Sequence, residues 1–173
     1  RRGAPRSHRG LPTERYYEEE GRAELTPRDF GILMHRVFEN AATTDEIYMA
    51  IEAMTQDGVL DEKEAPRLRE LVEKALADPV TAEWFGGRWQ VVRNENEIIL
   101  PGSGTTRRPD RVMTDGERAV VVDYKFGDRE TARHRKQIRE YLRLLRQMGY
   151  TRTEGYLWYV RLGRTERVEE KED

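Results

Sequence analysis

The run Val120-Val121-Val122 restricts the fold more than any other stretch of the chain. Three β-branched residues in unbroken succession leave no polar face. A strand built from them must be covered on both sides, in the middle of a sheet with a layer above and a layer below. This strand is expected from Ala119 to Phe126, with Pro109 to Met113 as its partner across the hairpin signal Thr114-Asp115-Gly116-Glu117. Upstream, the apolar period is helical. Thr26-Pro27-Arg28-Asp29 opens a helix with Phe30, Leu33, Met34, Val37 and Phe38 on one face, ending near Ala42. A second helix from Thr44 or Asp45 to Gln56 carries Ile47, Ile51 and Met54. A third, Asp61 to Ala77, carries Leu68, Leu71, Val72, Ala75 and Leu76, and a short turn spans Thr81 to Phe85.

After Gly86-Gly87 the period changes to that of strands, first at Arg88 to Arg93 and Ile98 to Leu100. Beyond the hairpin, a long helix from Glu130 to Met148 sends Ile138, Tyr141, Leu142, Leu145 and Met148 inward, and a last strand covers Glu154 to Leu162. The order of elements predicts an α/β (α+β) fold, a central mixed β-sheet flanked by helices with an N-terminal helical portion. The expected organisation is a linker or flexible arm over residues 1–24, one domain over 25–163 and an acidic tail over 164–173. Trp84, Trp89 and Trp158 read as core, and His8 and His134 carry no signal of their own.

Composition excludes several classes of function. The 173 residues include no cysteine, which rules out disulfide scaffolds, thiolate-held zinc or iron–sulfur clusters and cysteine nucleophiles, and suits a cytosolic protein. With 37% charged residues and no apolar run of eighteen, no segment reads as a membrane span. Lys plus Arg number 31 against 33 Asp plus Glu, too even a balance for a generic polyanion binder. Arginines nevertheless crowd into 107–111 and 129–146, and acids into 17–24, 57–73 and 166–173. Because the chain opens on Arg1 and not Met, it reads as a piece of something longer.

The chemistry concentrates around the hairpin. Side chains alternate along a strand, so Asp123 and Lys125 share a face and Tyr124 takes the other. With Met113 opposite Arg118 and Asp110 opposite Val121, Asp110 falls on that same face, diagonal to Asp123. Carboxylates this close repel unless a proton or a cation lies between them, and oxygen donors favour Mg2+ or Mn2+. A lysine beside them can hydrogen-bond an attacking water or a phosphate oxygen.

These residues resemble a known family. Pro109-Asp110, twelve residues, then Asp123-Tyr124-Lys125 is similar to the signature of PD-(D/E)xK nucleases. Gln137 to Tyr141 resembles the QxxxY motif of the RecB- and AddA-like branch, and Gly31-Ile-Leu-Met-His35 resembles its G-x-x-x-H helix. The resemblance implies a restriction-endonuclease-like core over about residues 26–162. It implies a Mg2+- or Mn2+-dependent deoxyribonuclease acting in DNA end processing, repair or recombination. His35, Asp110, Asp123 and the main-chain carbonyl of Tyr124 would be metal ligands, and Lys125 would orient or activate the attacking water, so that Asp110, Asp123 and Lys125 are the catalytic set. Gln137 and Tyr141 would support the site and contact DNA, joined by Arg133 and Arg108 from the basic stretches. The implied partners are single-stranded DNA, a UvrD/Rep-type helicase motor in the same parent chain and a partner subunit, in a bacterial cytoplasmic, nucleoid-associated setting. Relatives that carry an iron–sulfur cluster hold it with four cysteines, so no cluster is expected here. Glu95 lies where relatives often place another glutamate, but the alignment does not fix it. Two alternatives stay open: a catalytically silent DNA-holding or partner-docking module of a helicase, and a restriction-like or transposon-associated endonuclease.

Overall fold

The computed structural model describes residues 27–95, 98–99, 106–127 and 132–171; the expected arm over 1–24, the Thr26 cap, Arg129 and the last two tail residues lie outside them. Four helices come first: α1 Pro27–Glu39, α2 Thr44–Gln56, α3 Glu64–Ala75 and α4 Pro79–Trp84. Their starts follow local capping chemistry. Thr43 Oγ1 accepts the Glu46 amide at the head of α2, and Asp61 accepts the amides of Lys63 and Glu64 ahead of α3. Asp78 accepts the Val80 amide, with Pro79 in the first turn of α4.

Strands β1 Val91–Asn94, β4 Arg111–Asp115, β5 Arg118–Lys125, β6 Arg152–Tyr159 and β7 Arg164–Val168 form one sheet in the order β1-β4-β5-β6-β7. Between β1 and β4, β2 Ile98–Ile99 and β3 Thr106–Arg107 pair as a separate two-stranded ribbon. Pairing is antiparallel except between β5 and β6, which run parallel and are linked by α5 Ala132–Gln147. The mixed α/β architecture with a five-stranded sheet is that of a restriction-endonuclease-like fold. As the valine run requires, Val120, Val121 and Val122 are each fully buried in the central strand.

The two faces of the sheet carry two cores. Met113, Val120, Val122, Tyr124 and Trp158 pack with α1 to α4, while Val112, Ala119, Val121, Leu157 and Tyr159 pack with Ile138, Tyr141, Leu142, Leu144 and Leu145 of α5. Trp84 and Trp158 are core as expected; Trp89 is half-buried against it. No helix among the described residues is long and apolar enough to cross a membrane.

Three expectations are corrected. The hairpin pairs Met113 with Val120 and Asp115 with Arg118, two residues away from the anticipated register. Gly116, at φ +58°, takes the first position of a two-residue turn and Glu117 the second, the pattern of a type II′ hairpin. An even shift preserves the faces, so Asp110 still shares the side of Asp123. Met148 is exposed because α5 ends at Gln147, and Leu144 takes its place inside. The last strand ends at Tyr159, and residues 164–168, expected as the start of a tail, form β7 on its edge.

Arg111 is the largest charged group in the interior, with 0% of its surface exposed. Its Nη1 donates to the Ala41 carbonyl at 2.7 Å and to Asn94 Oδ1 at 3.1 Å. Its Nη2 donates to the carbonyls of Ala42 and Trp84, both at 2.7 Å, and the guanidinium lies 4.0 Å from the centre of the Phe85 ring. Asn94, its cross-strand partner, also donates to Ala41 O. One side chain therefore ties the chain leaving α1, the end of α4 and two strands together.

Replacing Arg111 by Met is expected to lower stability by about 3 kcal/mol or more, since three buried carbonyls lose a charged donor; urea unfolding measures it, and an unchanged midpoint refutes it. Gly155 makes the second contact that allows no substitution. A Cβ there would sit 2.4 Å from Ile138 Cγ2 and 3.2 Å from both Leu142 δ-carbons, and the β-branched Ile138 has little rotamer freedom in a helix. Gly155→Ala is expected to cost about 1–3 kcal/mol, read as a lower melting temperature.

Candidate metal centre and active site

The site is assembled at the end of the sheet where β5 finishes and β4 begins. Pro109 is buried and leads into Asp110, the residue before β4. Asp110 and Asp123 clasp each other through the main chain. The Asp110 amide donates to Asp123 Oδ1 at 3.0 Å, and the Tyr124 amide donates to Asp110 Oδ2 at 2.7 Å. Each carboxylate thus commits one oxygen to structure. The other oxygens face the remaining groups: Asp110 Oδ1 lies 3.8 Å from His35 Nδ1, and Asp123 Oδ2 lies 3.8 Å from Lys125 Nζ.

His35 arrives from α1 on the opposite side of the sheet. Its ring lies 4.9 Å, centre to centre, from Phe126 and 5.9 Å from Tyr124, so two side chains following Asp123 brace it. Gly31, one turn earlier, has Phe126 3.4 Å from where a Cβ would stand, so the motif glycine lets α1 approach the end of β5 closely.

Glu95 completes the group. Its amide donates to the Asp110 carbonyl at 3.0 Å, and its Oε1 stands 3.5 Å from His35 Nδ1. It is the one described non-glycine residue with positive φ, +53°. One ligand atom each from His35, Glu95 and Asp110 lie within 4.8 Å of one another, a spacing that a single cation could bridge. Asp123, expected as a ligand, adjoins this trio through the Asp110 amide, and Lys125 stands beside Asp123. On the α5 side, Gln137 Nε2 donates to the Tyr141 hydroxyl at 3.1 Å; Tyr141 is buried in the core beneath the Asp123 face. Arg133 is exposed on α5, and Arg108 is exposed just before Pro109.

By sequence alone Arg111 belongs to a basic surface cluster, since nothing around it separates it from Arg107 or Arg108; the fold buries it instead. Glu95, which the resemblance suggested without fixing, becomes a neighbour of Asp110 through the β1–β4 register.

The electrostatics favour a cation. Burial, followed by the charge of Asp123 and by Glu95, pushes Asp110 up to about 8 against the opposing Tyr124 amide. Burial likewise raises Asp123, against the Asp110 amide and Lys125. Oxygen donors with one imidazole fit Mg2+ or Mn2+, and either ion would offset the carboxylate repulsion that burial magnifies. The pH dependence follows. With a folded-state value above the unfolded one, Asp110 stabilises the metal-free fold at low pH, and this contribution is lost as pH rises from about 4 towards 8. A cation binds the deprotonated form and opposes that loss. The rise in melting temperature on adding Mn2+ is expected to be larger at about pH 8 than at about pH 5. An increment independent of pH would contradict this account of Asp110.

A family model described as the PD-(D/E)XK nuclease superfamily matches residues 5–173. No curated protein matches the chain significantly. With the match spanning nearly the whole sequence and the carboxylates clasped at the end of β5, the chain belongs to the PD-(D/E)XK nuclease superfamily.

Proposed function

We propose that this domain hydrolyses DNA phosphodiesters with a divalent metal held by His35, Glu95, Asp110, Asp123 and the main-chain carbonyl of Tyr124. The observation that carries the reading is the convergence of His35, Glu95 and Asp110 within 4.8 Å, with Lys125 3.8 Å from Asp123. A bound Mg2+ or Mn2+ would neutralise charge on the phosphoryl group and ease the ionisation of water. The protein's own groups do the rest. Asp123, held by the Asp110 amide, and Asp110, held by the Tyr124 amide, keep their remaining oxygens preorganised, which removes reorganisation from the barrier. Lys125 holds the attacking water or a phosphate oxygen by donating from its ammonium group. The water oxygen bonds to phosphorus as the bond from phosphorus to the leaving oxygen breaks. Gln137, locked to Tyr141, steadies the substrate side of the site together with Arg133 and Arg108.

The finer reading places the domain in the RecB- and AddA-like branch, acting as an exonuclease on single strands delivered by a UvrD/Rep-type helicase motor, in bacterial DNA repair and recombination. Its support is the ordered set His35, Asp110, Asp123/Lys125 and Gln137/Tyr141.

Asp123→Asn retains an acceptor for the Asp110 amide, and Lys125→Ala removes the ammonium together with its methylene stem. Each is expected to keep the circular dichroism of the wild type and to lose at least about a hundredfold in Mg2+-dependent cleavage of labelled single-stranded DNA. Undiminished cleavage by both variants overturns the assignment. Blocking both ends of the oligonucleotide separates exonuclease from endonuclease action.

A further inference from the structure

The cations of α5 fall into two stripes with different surroundings. At 3.6 residues per turn, Arg135, Arg139 and Arg146 lie along one side of the helix, and Arg133, Lys136 and Arg143 along another. The first stripe is occupied by the carboxy-terminal segment. Arg135 pairs with Glu166 of β7, Arg139 Nε donates to the Glu169 carbonyl at 3.3 Å, and Arg146 Nε lies 2.5 Å from Glu170 Oε2. The second stripe is exposed, and none of its three cations has an ion-pair or hydrogen-bond partner among the described residues.

The second stripe also lies next to the site. Arg133 precedes Gln137 by one turn, and Gln137 bonds Tyr141 over the Asp123 face of the sheet. Burial first, then Lys125, Arg133 and Arg135, hold the intervening His134 below its ordinary basicity, so this end of α5 and Lys125 share one electrostatic neighbourhood. From Arg133 to Arg143 the helix rises about 15 Å, enough to engage several successive phosphates. A protein of net charge −2 gains affinity for a polyanion only from such a local, unneutralised array.

Resting on the nuclease reading above, we propose that Arg133, Lys136 and Arg143 form a phosphate track that guides a nucleic-acid strand to the site, while Arg135, Arg139 and Arg146 serve to fasten the carboxy-terminal segment. The track contacts the backbone without reading sequence, and its energetic signature is counterion release.

The test uses the full chain in an Asp123→Asn background and a labelled oligo-dT, with affinity measured against salt. Arg133→Gln/Lys136→Gln/Arg143→Gln is expected to flatten the slope of log affinity against log salt by about 2, since each single-strand phosphate left without its cation removes about 0.7. Arg135→Gln is expected to leave the slope unchanged. An unchanged slope in the triple variant, or an equal loss in Arg135→Gln, overturns the track. So does polyglutamate binding as tightly as oligo-dT with the same sensitivity to the triple substitution, which would mark an acidic-protein surface. Cleavage of bis(p-nitrophenyl) phosphate, too small to reach the track, tests the nuclease reading separately. If the wild type cleaves it while the salt slopes of the triple variant and its parent agree, the track fails and the nuclease stands; if the wild type does not cleave it in Mg2+ or Mn2+, the nuclease reading fails too.

Discussion

The buried guanidinium of Arg111 is the constraint on which the site depends. Taking a cation out of water is costly, and its loss of hydration is reflected in a lowered basicity. Three main-chain carbonyls and Asn94 replace water around it, and those from Ala41, Ala42 and Trp84 lie at or just beyond helix ends, where the helix dipole is negative. The hydrogen bonds are charge-assisted and radiate to three elements, so they act as a joint as well as a source of stability. The joint's neighbours in sequence are residues of the proposed site. Asp110 precedes Arg111, and Glu95 follows Asn94, the residue paired with Arg111 across β1 and β4. Anchoring the chain beyond α1 also holds the helix that carries His35.

Around this joint the two aspartates resolve a conflict. The chemistry asks for ionised carboxylates side by side, and burial opposes ionisation of both. Donation from each aspartate's neighbourhood to the other's oxygen stabilises the charged forms in part and fixes their spacing. The remaining imbalance is what gives the site its appetite for a cation. On the proposed reading, stability and metal affinity rest on the same few hydrogen bonds.

Much of this was legible in the sequence because it depends on local pattern. The valine run required a doubly covered strand, α2 and α5 followed from their apolar period, strand alternation put Asp110, Asp123 and Lys125 on one face, and the family resemblance pointed to His35, Gln137 and Tyr141. What was not legible depends on partners distant in the chain. Arg111 looks like its exposed neighbours until α1 and α4 close over it. Glu95 was suggested by the resemblance but could not be fixed, because it sits in a loop without periodicity and only the strand register joins it to Asp110. The segment forming β7, Arg164-Thr165-Glu166-Arg167-Val168, is charged enough to read as tail. It is an edge strand whose one acid, Glu166, is held by Arg135 of α5, so it needs only Val168 in the core.

The left-handed backbone at Glu95 has an evolutionary corollary. A residue with a Cβ is strained in this conformation, and glycine or asparagine would relax it. Selection for robustness alone would therefore push this position towards a smaller residue and empty it of its acid. The strained angle places the Glu95 carboxylate beside His35 and Asp110, a position a smaller residue would leave without an acid.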